Sequence, residues 1–330
     1  MNPKLSRRLL ISSPLLAAPA FIRAQGLSQP EKVVFATNWK AQAAHGGFYQ
    51  ALVDGSYAKA GLQVEIRQGG PQVNNRPLLP AKKIDFLMTG NLLHAFDNAK
   101  MGVPTLSVAA VFQKDPQALM AHPGQGYESF EALKQAPRIW IAKDAQFSWW
   151  QWLKRRHGFR DEALRPYNFT LGPFLANKQS VQQGYSVAEP IYVKQQGGFD
   201  PVVHLLADQG WSTPSTLIDA HADTVAQRPE LVQRFVDASL AGWQAYLAGS
   251  PAQRAAADAR MRQDNPEMNQ AELEASHALM VKQQLAGARL GALSLARADA
   301  FLQDMVKTGL YKASEVDLKQ VVSERFAPKG

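Results

Sequence analysis

The chain of 330 residues is 46% apolar and 19% charged and contains no cysteine, which excludes disulfides, thiolate metal sites, a cysteine nucleophile and a lipid-anchored N-terminal cysteine. Its formal net charge of +8 falls to +4 without the first 24 residues, which hold four basic side chains and no acidic one. The remaining excess is spread along the chain without a Lys/Arg run of the kind that follows phosphates, so we expect no nucleic-acid partner.

The N-terminus has the pattern of an export signal. Arg7 and Arg8 precede the apolar stretch 9–20, and small residues suited to cleavage occur at Ala20 and Ala24. A basic start, a short apolar run and a small-residue end define a secretory signal peptide, and paired arginines favour the twin-arginine route. We therefore predict a twin-arginine signal peptide over the first 24 residues, cleaved near Ala24 or Ala20, and a mature protein in the periplasm.

The alternative for this segment is an anchoring helix. Pro14 and Pro19 interrupt the apolar run, and the run is shorter than the ~20 apolar residues that a membrane span needs. No later stretch of the sequence is long and apolar enough to span a bilayer. The sequence therefore favours a cleaved signal over an anchor.

Strand-like apolar runs alternate with segments of helical periodicity along the mature chain. This alternation is typical of an α/β fold with mainly parallel sheets. Between residues 224 and 306 the apolar residues recur at helical spacing, which predicts a helical tail packed on the first unit. The predicted strands are 32–36, 63–67, 84–88, 138–142, 182–186 and 202–206, and the predicted helices begin at Gly46, at Thr89-Gly90-Asn91, at Ser148 and at Glu189.

The predicted elements fall into two lobes, and the chain crosses between them twice. A chain of this length suits such a division, because domains usually run to ~100–200 residues. We predict that residues 25–113 and 211–330 form lobe 1, with the C-terminal helices, and that residues 114–210 form lobe 2.

Motifs over nearly the whole mature chain resemble those of the NMT1/THI5-like (SsuA/THI5-like) family of periplasmic substrate-binding proteins. Members serve ABC transporters for thiamine-pyrimidine precursors, riboflavin, nitrate, taurine and alkanesulfonates. The order and spacing of the motifs carry the resemblance more than any single one. The matching segments are Asn38-Trp39, 45–51, 61–66, 84–86, Gly184-Tyr185, Glu189-Pro190, 228–236, 241–243, Phe301 and Gly309-Leu310.

The resemblance implies a two-lobe periplasmic binding protein fold (type II), with a ligand cleft between the lobes that closes by a hinge motion. It also implies an ABC permease and ATPase at the inner membrane as partners, a monomeric protein and no cofactor. A periplasmic sensor partner would share this architecture. The family's precursor-synthase enzymes use a Cys-rich motif that this chain cannot supply, so we expect that the protein is not an enzyme. A second departure from the family pattern is the sequence Asp-Gly-Ser-Tyr at residues 54–57, where many members have Lys-Gly-Tyr-Phe.

The loop after the first strand is expected to line the cleft, because open α/β sheets bind ligands at the carboxyl ends of their strands. It offers Asn38, Trp39, His45 and Tyr49. Trp39 could stack on a flat heterocycle or lie in the core. His45 could donate to a ligand oxygen or cap a helix.

Two predicted helix starts offer backbone donors to a ligand. Gly46 and Gly47 begin one helix, and Thr89, Gly90 and Asn91 precede another. Free N–H groups and the positive end of the helix dipole favour an anion or a carbonyl oxygen there. The alternative is ordinary turn and N-cap chemistry.

The remaining candidates lie after the second strand and in lobe 2. Gly70 belongs to a Gly-Gly-Pro stretch that could contact ligand or form an ordinary turn. Ser148 and Trp149 are chosen from a dense aromatic segment. Tyr185 and Glu189 match the family's Gly-Tyr and Glu-Pro motifs; Glu189 would suit an amine or ring N–H, or would stabilise a helix start.

The predicted cleft loops indicate a neutral or amine-bearing ligand. Only Lys40 and Lys143 lie in or beside these loops, whereas sulfonate and nitrate sites need cations or many donors. Aromatic and neutral polar residues suit a planar heterocycle such as an aminopyrimidine; nitrate, taurine or an alkanesulfonate is the alternative. The histidines show no pair at metal spacing, so we predict no metal.

Overall fold

The structure, a computed structural model, describes residues 29–70 and 73–328. The predicted signal peptide lies outside the described residues. Two five-stranded sheets occupy the described part of the chain. Their strands are β1 Glu31–Ala36, β2 Leu62–Arg67, β3 Phe86–Asn91, β4 Thr105–Phe112, β5 Gln117–Ala121, β6 Arg138–Ile141, β7 Leu164–Pro166, β8 Ser180–Tyr185, β9 Val202–Leu205 and β10 Ser215–His221.

Helices flank both sheets, and the longest of them follow β10. No helix within residues 29–70 and 73–328 is long and apolar enough to cross a membrane. The α-helices are α1 Gly46–Val53, α2 Ser56–Lys59, α3 Leu92–Lys100, α4 Lys143–Gln146, α5 Trp149–Trp152, α6 Gly172–Leu175, α7 Glu189–Gly197, α8 Ala222–Gln227, α9 Pro229–Ala248, α10 Pro251–Asp264, α11 Gln270–Lys282 and α12 Leu295–Lys307.

Both sheets are mixed, where the sequence predicted mainly parallel ones. The first has the order β2-β1-β3-β10-β4, and β10 runs antiparallel to β3 and β4. The second has the order β7-β6-β8-β5-β9, and β5 runs antiparallel to β8 and β9. The reversed strands β5 and β10 are the ones that follow a crossing from the other sheet. The α/β class is confirmed, and the antiparallel pairs follow from the crossings.

We call the first sheet with its packed elements lobe 1 and the second sheet with its packed elements lobe 2. The core of lobe 1 contains stacked rings: Phe86 and Phe235 lie with centroids 4.0 Å apart and planes at 7°. Phe235 belongs to α9, which buries one face against β1, β3 and α1. This packing places the loop after β1, residues 37–45, at the end of the sheet that faces lobe 2.

The last long helix, α12, packs against lobe 2 through aromatic and polar contacts. Trp211 lies between Trp152 and Phe301, with ring centroids 5.1 Å from each. Asp304 of α12 forms an ion pair with Arg156 and accepts a hydrogen bond of 3.3 Å from Trp152 Nε1. The sequence-based division at residues 113/114 and 210/211, with all C-terminal helices in lobe 1, stays a prediction.

Candidate ligand cleft

A cavity of about 120 Å³ lies between the two lobes. It is bordered by the loop after β1, by the ends of β3 and β10, and by the β7–α6 and β8–α7 connections of lobe 2. Its lining residues are Asn38, Trp39, Gln42, Ala44, Met88, Gly90 and Thr216 from lobe 1, and Tyr167, Phe169, Gln183, Gly184, Tyr185, Ala188 and Glu189 from lobe 2.

The lobe 1 wall is held by hydrogen bonds that fix the loop carrying Trp39. Thr37 Oγ1 donates to the carbonyl of Trp39 at 2.7 Å. The Ala41 N–H donates to Gln68 Oε1 at 2.5 Å, and Asn265 Nδ2 donates to the Ala41 carbonyl at 2.8 Å. The loop backbone lies outside strands and helices, so these bonds take the place of the hydrogen bonds of regular secondary structure. Trp39 is therefore held at the cavity by an ordered loop.

Aromatic rings from both lobes meet at this cavity. The ring of Trp39 lies 4.9 Å from that of Phe169, centroid to centroid, with the planes tilted by 48°. Phe169 in turn lies 5.2 Å from Tyr167. The cavity wall is therefore largely aromatic on the side where the lobes touch, and such rings favour flat ligands.

Glu189 is the only charged residue among the described residues that line the cavity. It is the first residue of α7, and its Oε2 accepts the Tyr185 N–H at 2.7 Å. Burial raises the pKa of Glu189, against the effect of its backbone hydrogen bonds. The nearby Lys40 is engaged by Glu267 at 2.6 Å. The carboxylate thus faces the cavity without a cation among the lining residues, which favours N–H donors or a cation as its partner.

A second buried carboxylate, Asp115, lies behind Tyr185 at the crossover between the lobes. It accepts hydrogen bonds from Trp211 Nε1 at 2.9 Å, Asn91 Nδ2 at 3.2 Å and the Gln117 N–H at 3.1 Å. Burial raises the pKa of Asp115 to about 6 although these three bonds favour its charged form. Sequence reasoning missed Asp115; the available signal was an acidic residue next to Pro116 in a predicted crossover.

Five of the residues chosen from the sequence line the cavity: Asn38, Trp39, Gly90, Tyr185 and Glu189. They come from both lobes and from three separate segments of the chain. Their contact with a ligand stays a prediction. Residues that sequence reasoning did not choose, above all Tyr167, Phe169 and Thr216, complete the wall.

Gly46 and Gly47 lie at the start of α1, where both pack closely against α9. A 3₁₀ turn at Ala43–His45 precedes α1, and the Gly46 N–H already donates to the Ala43 carbonyl. A Cβ at Gly46 would overlap the ring of Tyr246, and one at Gly47 would overlap Trp243. The predicted helix start at Gly46 is confirmed, and both glycines allow α1 to approach α9 closely.

The Thr89-Gly90-Asn91 segment ends β3 and is followed at once by α3, so the predicted helix start is confirmed at Asn91. Thr89 is buried, and its Oγ1 donates to Asp219 at 2.9 Å. Asn91 is the N-cap of α3: its Oδ1 accepts the Leu93 N–H at 3.2 Å. The strand extends further than the apolar run 84–88 because β10, which arrives from the other lobe, pairs with it through Asn91.

The other candidates lie outside the cavity wall. His45 is fully buried, and burial lowers its pKa to about 3. Tyr49 is buried and donates to Asp264 at 3.0 Å. Trp149 lies in the core of lobe 2 because its helix turns that face inward, and Ser148 Oγ donates to the Ala145 carbonyl at 3.3 Å. The remaining candidate is Gly70, which pairs with Val73 in an isolated bridge.

A family model described as NMT1/THI5 like matches residues 42–253, about two thirds of the chain. The chain belongs to the NMT1/THI5-like family. The resemblance that the motifs predicted is thus confirmed. No curated protein sequence matches the chain.

Solved structures share the fold of this NMT1/THI5-like protein at low sequence identity. The nitrate-binding protein NrtA of Synechocystis PCC 6803 is 13% identical with a TM-score of 0.64, over 89% of this chain and 86% of that one. The aliphatic sulphonate-binding protein SsuA of Escherichia coli is 14% identical with a TM-score of 0.60, over 91% and 94%. The desulfurization enzyme DSZB is 14% identical with a TM-score of 0.57, over 90% and 97%. The two-lobe binding-protein fold is confirmed; because it also carries an enzyme, function has to be argued from the cleft.

Proposed function

We propose that the mature protein is the periplasmic solute-binding component of an ABC importer, and that it captures a planar heterocycle of one ring bearing amino or ring N–H groups. The observation that carries the proposal is a cavity with aromatic walls whose only charged lining residue, among those described, is Glu189. The family, the fold and the predicted export signal support the coarser role. The ligand class is argued from the cavity.

The charge of the cleft favours a donor ligand over an anion. A carboxylate and an anionic ligand 5 Å apart repel by about 3 kcal/mol at an effective dielectric constant of 20. Nitrate or sulfonate sites offset such a cost with Arg, Lys or several N–H donors. Among the described residues that line this cavity there is neither Arg nor Lys. An amino group would instead donate a charge-assisted hydrogen bond to Glu189.

The size of the cavity favours one ring over two. A cavity of about 120 Å³ is close to the ~150 Å³ of an apolar cavity that holds benzene. Trp39 and Tyr185 could stack on such a ring, each contact adding roughly 0.5–1.5 kcal/mol beyond burial. A flavin, with three fused rings, would exceed a cavity of this volume. An aminopyrimidine, as in thiamine precursors, meets the limits of size, flatness and donor groups.

The mechanism that fits this cleft is hinge closure. A ligand that contacts Trp39 in lobe 1 and Glu189 in lobe 2 binds the closed form more tightly than the open one, so it shifts the population toward closure. The permease would then recognise the closed form. No bond is made or broken, and the sequence has no cysteine to act as a nucleophile. In the alternative, a sensor protein instead of the permease would recognise the closed form.

A thermal-shift screen of the mature protein tests the proposal. The panel contains 4-aminopyrimidine derivatives, thiamine, riboflavin, nitrate, taurine and an alkanesulfonate. A ligand at 100 times its dissociation constant adds about 2.7 kcal/mol to the free energy of unfolding. We expect a shift with the aminopyrimidines alone. A shift with nitrate or a sulfonate alone would overturn the proposed ligand class.

A further inference from the structure

Backbone strain is concentrated at the cleft. In the described part of the chain four non-glycine residues have a positive φ, and two of them, Phe169 at 61° and Thr216 at 53°, line the cavity from opposite lobes. A left-handed conformation is rare for aromatic and β-branched residues. Such strain persists only where the surrounding structure imposes it, and it is enriched at ligand clamps.

Phe169 is also unusually exposed for a phenylalanine that takes part in packing. Its side chain is 44% exposed, although its ring contacts Trp39 at 4.9 Å and Tyr167 at 5.2 Å. Tyr167 belongs to the same lobe, whereas Trp39 belongs to the other. The ring therefore spans the gap between the lobes at the surface, with one edge in solvent and the other on the cavity.

We propose that Phe169 is the gate of the cleft and sets the size limit of the ligand. Its left-handed backbone holds the ring against Trp39, so the ring covers the cavity when the lobes are closed and moves away with lobe 2 when they open. A ligand of one ring fits beneath the Phe169–Trp39 pair, whereas a second fused ring would meet it. The role in selectivity rests on the proposed function; the gate contact itself does not.

The gate contact can be measured without any ligand. Five of the seven tryptophans are buried, and only Trp39 and Trp140 are partly exposed. Acrylamide quenching of fluorescence therefore reports mainly on these two, and the Trp39→Phe variant isolates the Trp39 component. We expect Phe169→Ala to increase quenching of that component by about twofold or more, and Phe169→Tyr to leave it near the wild-type value. Quenching of Trp39 that is unchanged in Phe169→Ala would overturn the gate.

Phe147 provides the matched control. It is a phenylalanine of the same lobe, is 75% exposed and lies outside the residues that line the cavity. Phe147→Ala should leave the quenching of Trp39 and the affinity for ligands unchanged. An increase in quenching equal to that of Phe169→Ala would mean that loss of any exposed ring loosens the lobe, and it would contradict the gate.

Selectivity is tested by titration calorimetry with 4-aminopyrimidine and the two-ring 4-aminoquinazoline. Phe169→Ala should weaken binding of 4-aminopyrimidine about tenfold and speed its dissociation. The ratio of the affinity for 4-aminoquinazoline to that for 4-aminopyrimidine should rise above the wild-type ratio. Phe169→Tyr should restore the wild-type ratio. An equal loss for both probes would overturn the size limit. If neither probe binds the wild-type protein, the proposed ligand class fails, and the quenching experiment still decides the gate.

Discussion

The carboxylate of Asp115 accepts a hydrogen bond of 2.9 Å from the indole Nε1 of Trp211, and this contact joins the two segments through which the chain passes between the lobes. Arg297 of α12 joins the same segments from the other side, since it donates to Gln113 and to the Ser212 carbonyl. The crossover is therefore held by side chains as well as by backbone. In the proposed hinge closure the two lobes would move around this fixed point.

Asp115→Asn is expected to destabilise the protein, because the amide turns one acceptor into a donor. That donor faces either both Trp211 Nε1 and Asn91 Nδ2 or, in the other orientation, the Gln117 N–H. The buried donors left unpaired cost about 1–3 kcal/mol. The folded-state pKa of about 6 lies above the unfolded value of 3.8. The protonated carboxyl group therefore contributes its full stability below pH 3.8, and this contribution is lost as the pH rises through about 6.

Urea unfolding at pH 4.5 and 7.5 measures this effect. The difference in free energy of unfolding between wild type and Asp115→Asn should be larger at pH 4.5, because only the wild type gains stability on protonation of the carboxyl group. Asp237→Asn, at an exposed residue of α9, is the control and should show no such difference. If the difference between wild type and Asp115→Asn were the same at both pH values, the raised pKa of Asp115 would be contradicted.

His45 should make the protein less stable in mild acid. It is fully buried, both ring nitrogens have no hydrogen-bond partner among the described residues, and burial lowers its pKa to about 3 from 6.5. At pH 5 the imidazole is therefore protonated in the unfolded chain and neutral in the folded one. This difference lowers the free energy of unfolding by about 2 kcal/mol between pH 7.5 and pH 5. We expect His45→Leu to remove this part of the pH dependence and to be close to neutral at pH 7.5, since no hydrogen bond is lost.

The control for His45 is a histidine with a partner. His204 is half-buried and keeps a hydrogen bond of 2.8 Å to the Tyr127 carbonyl. His204→Gln should retain the acid dependence that His45→Leu loses. Denaturant unfolding of both variants at the two pH values measures this, and an unchanged acid dependence in His45→Leu would contradict the account.

Gly47→Ala should destabilise the protein by overpacking. The added Cβ would lie 2.5 Å from the Cα of Trp243, and backbone of α9 cannot yield as a flexible side chain can. Forcing a methyl group into a packed helix contact costs about 1–3 kcal/mol. Gly172→Ala is the control, because a Cβ there meets nothing within 4 Å. Equal melting temperatures for the two variants would restore a ligand-binding explanation for Gly47.

Phe169→Gly should be more stable than Phe169→Ala. Both variants lose the ring, but only glycine adopts a φ of 61° without steric cost. The difference in free energy of unfolding should be about 1–2 kcal/mol. Denaturant unfolding measures it directly. A more stable alanine variant would mean that the loop relaxes to a negative φ once the ring is removed.

The parts of the cleft that follow strand ends could be predicted from the sequence, and those that depend on packing between distant segments could not. Trp39 lies in the loop after β1, and Glu189 begins α7 after β8, which places both residues at the carboxyl edge of a sheet. Phe169 follows β7, a strand of three residues with no alternation to detect. Gly46 and Gly47 match an anion-binding helix start and a packing contact equally well until Tyr246 and Trp243 are placed against them.

The pairing of Glu189 with a ligand amino group is tested most directly by calorimetric titration of wild type, Glu189→Gln and the exposed-site control Glu162→Gln with 4-aminopyrimidine, nitrate and taurine. We expect the wild type and Glu162→Gln to bind the aminopyrimidine alone, and Glu189→Gln to bind it about 10- to 100-fold more weakly, as loss of a hydrogen bond to a charged group implies. Binding of nitrate or taurine by the wild type, strengthened in Glu189→Gln, would contradict the account.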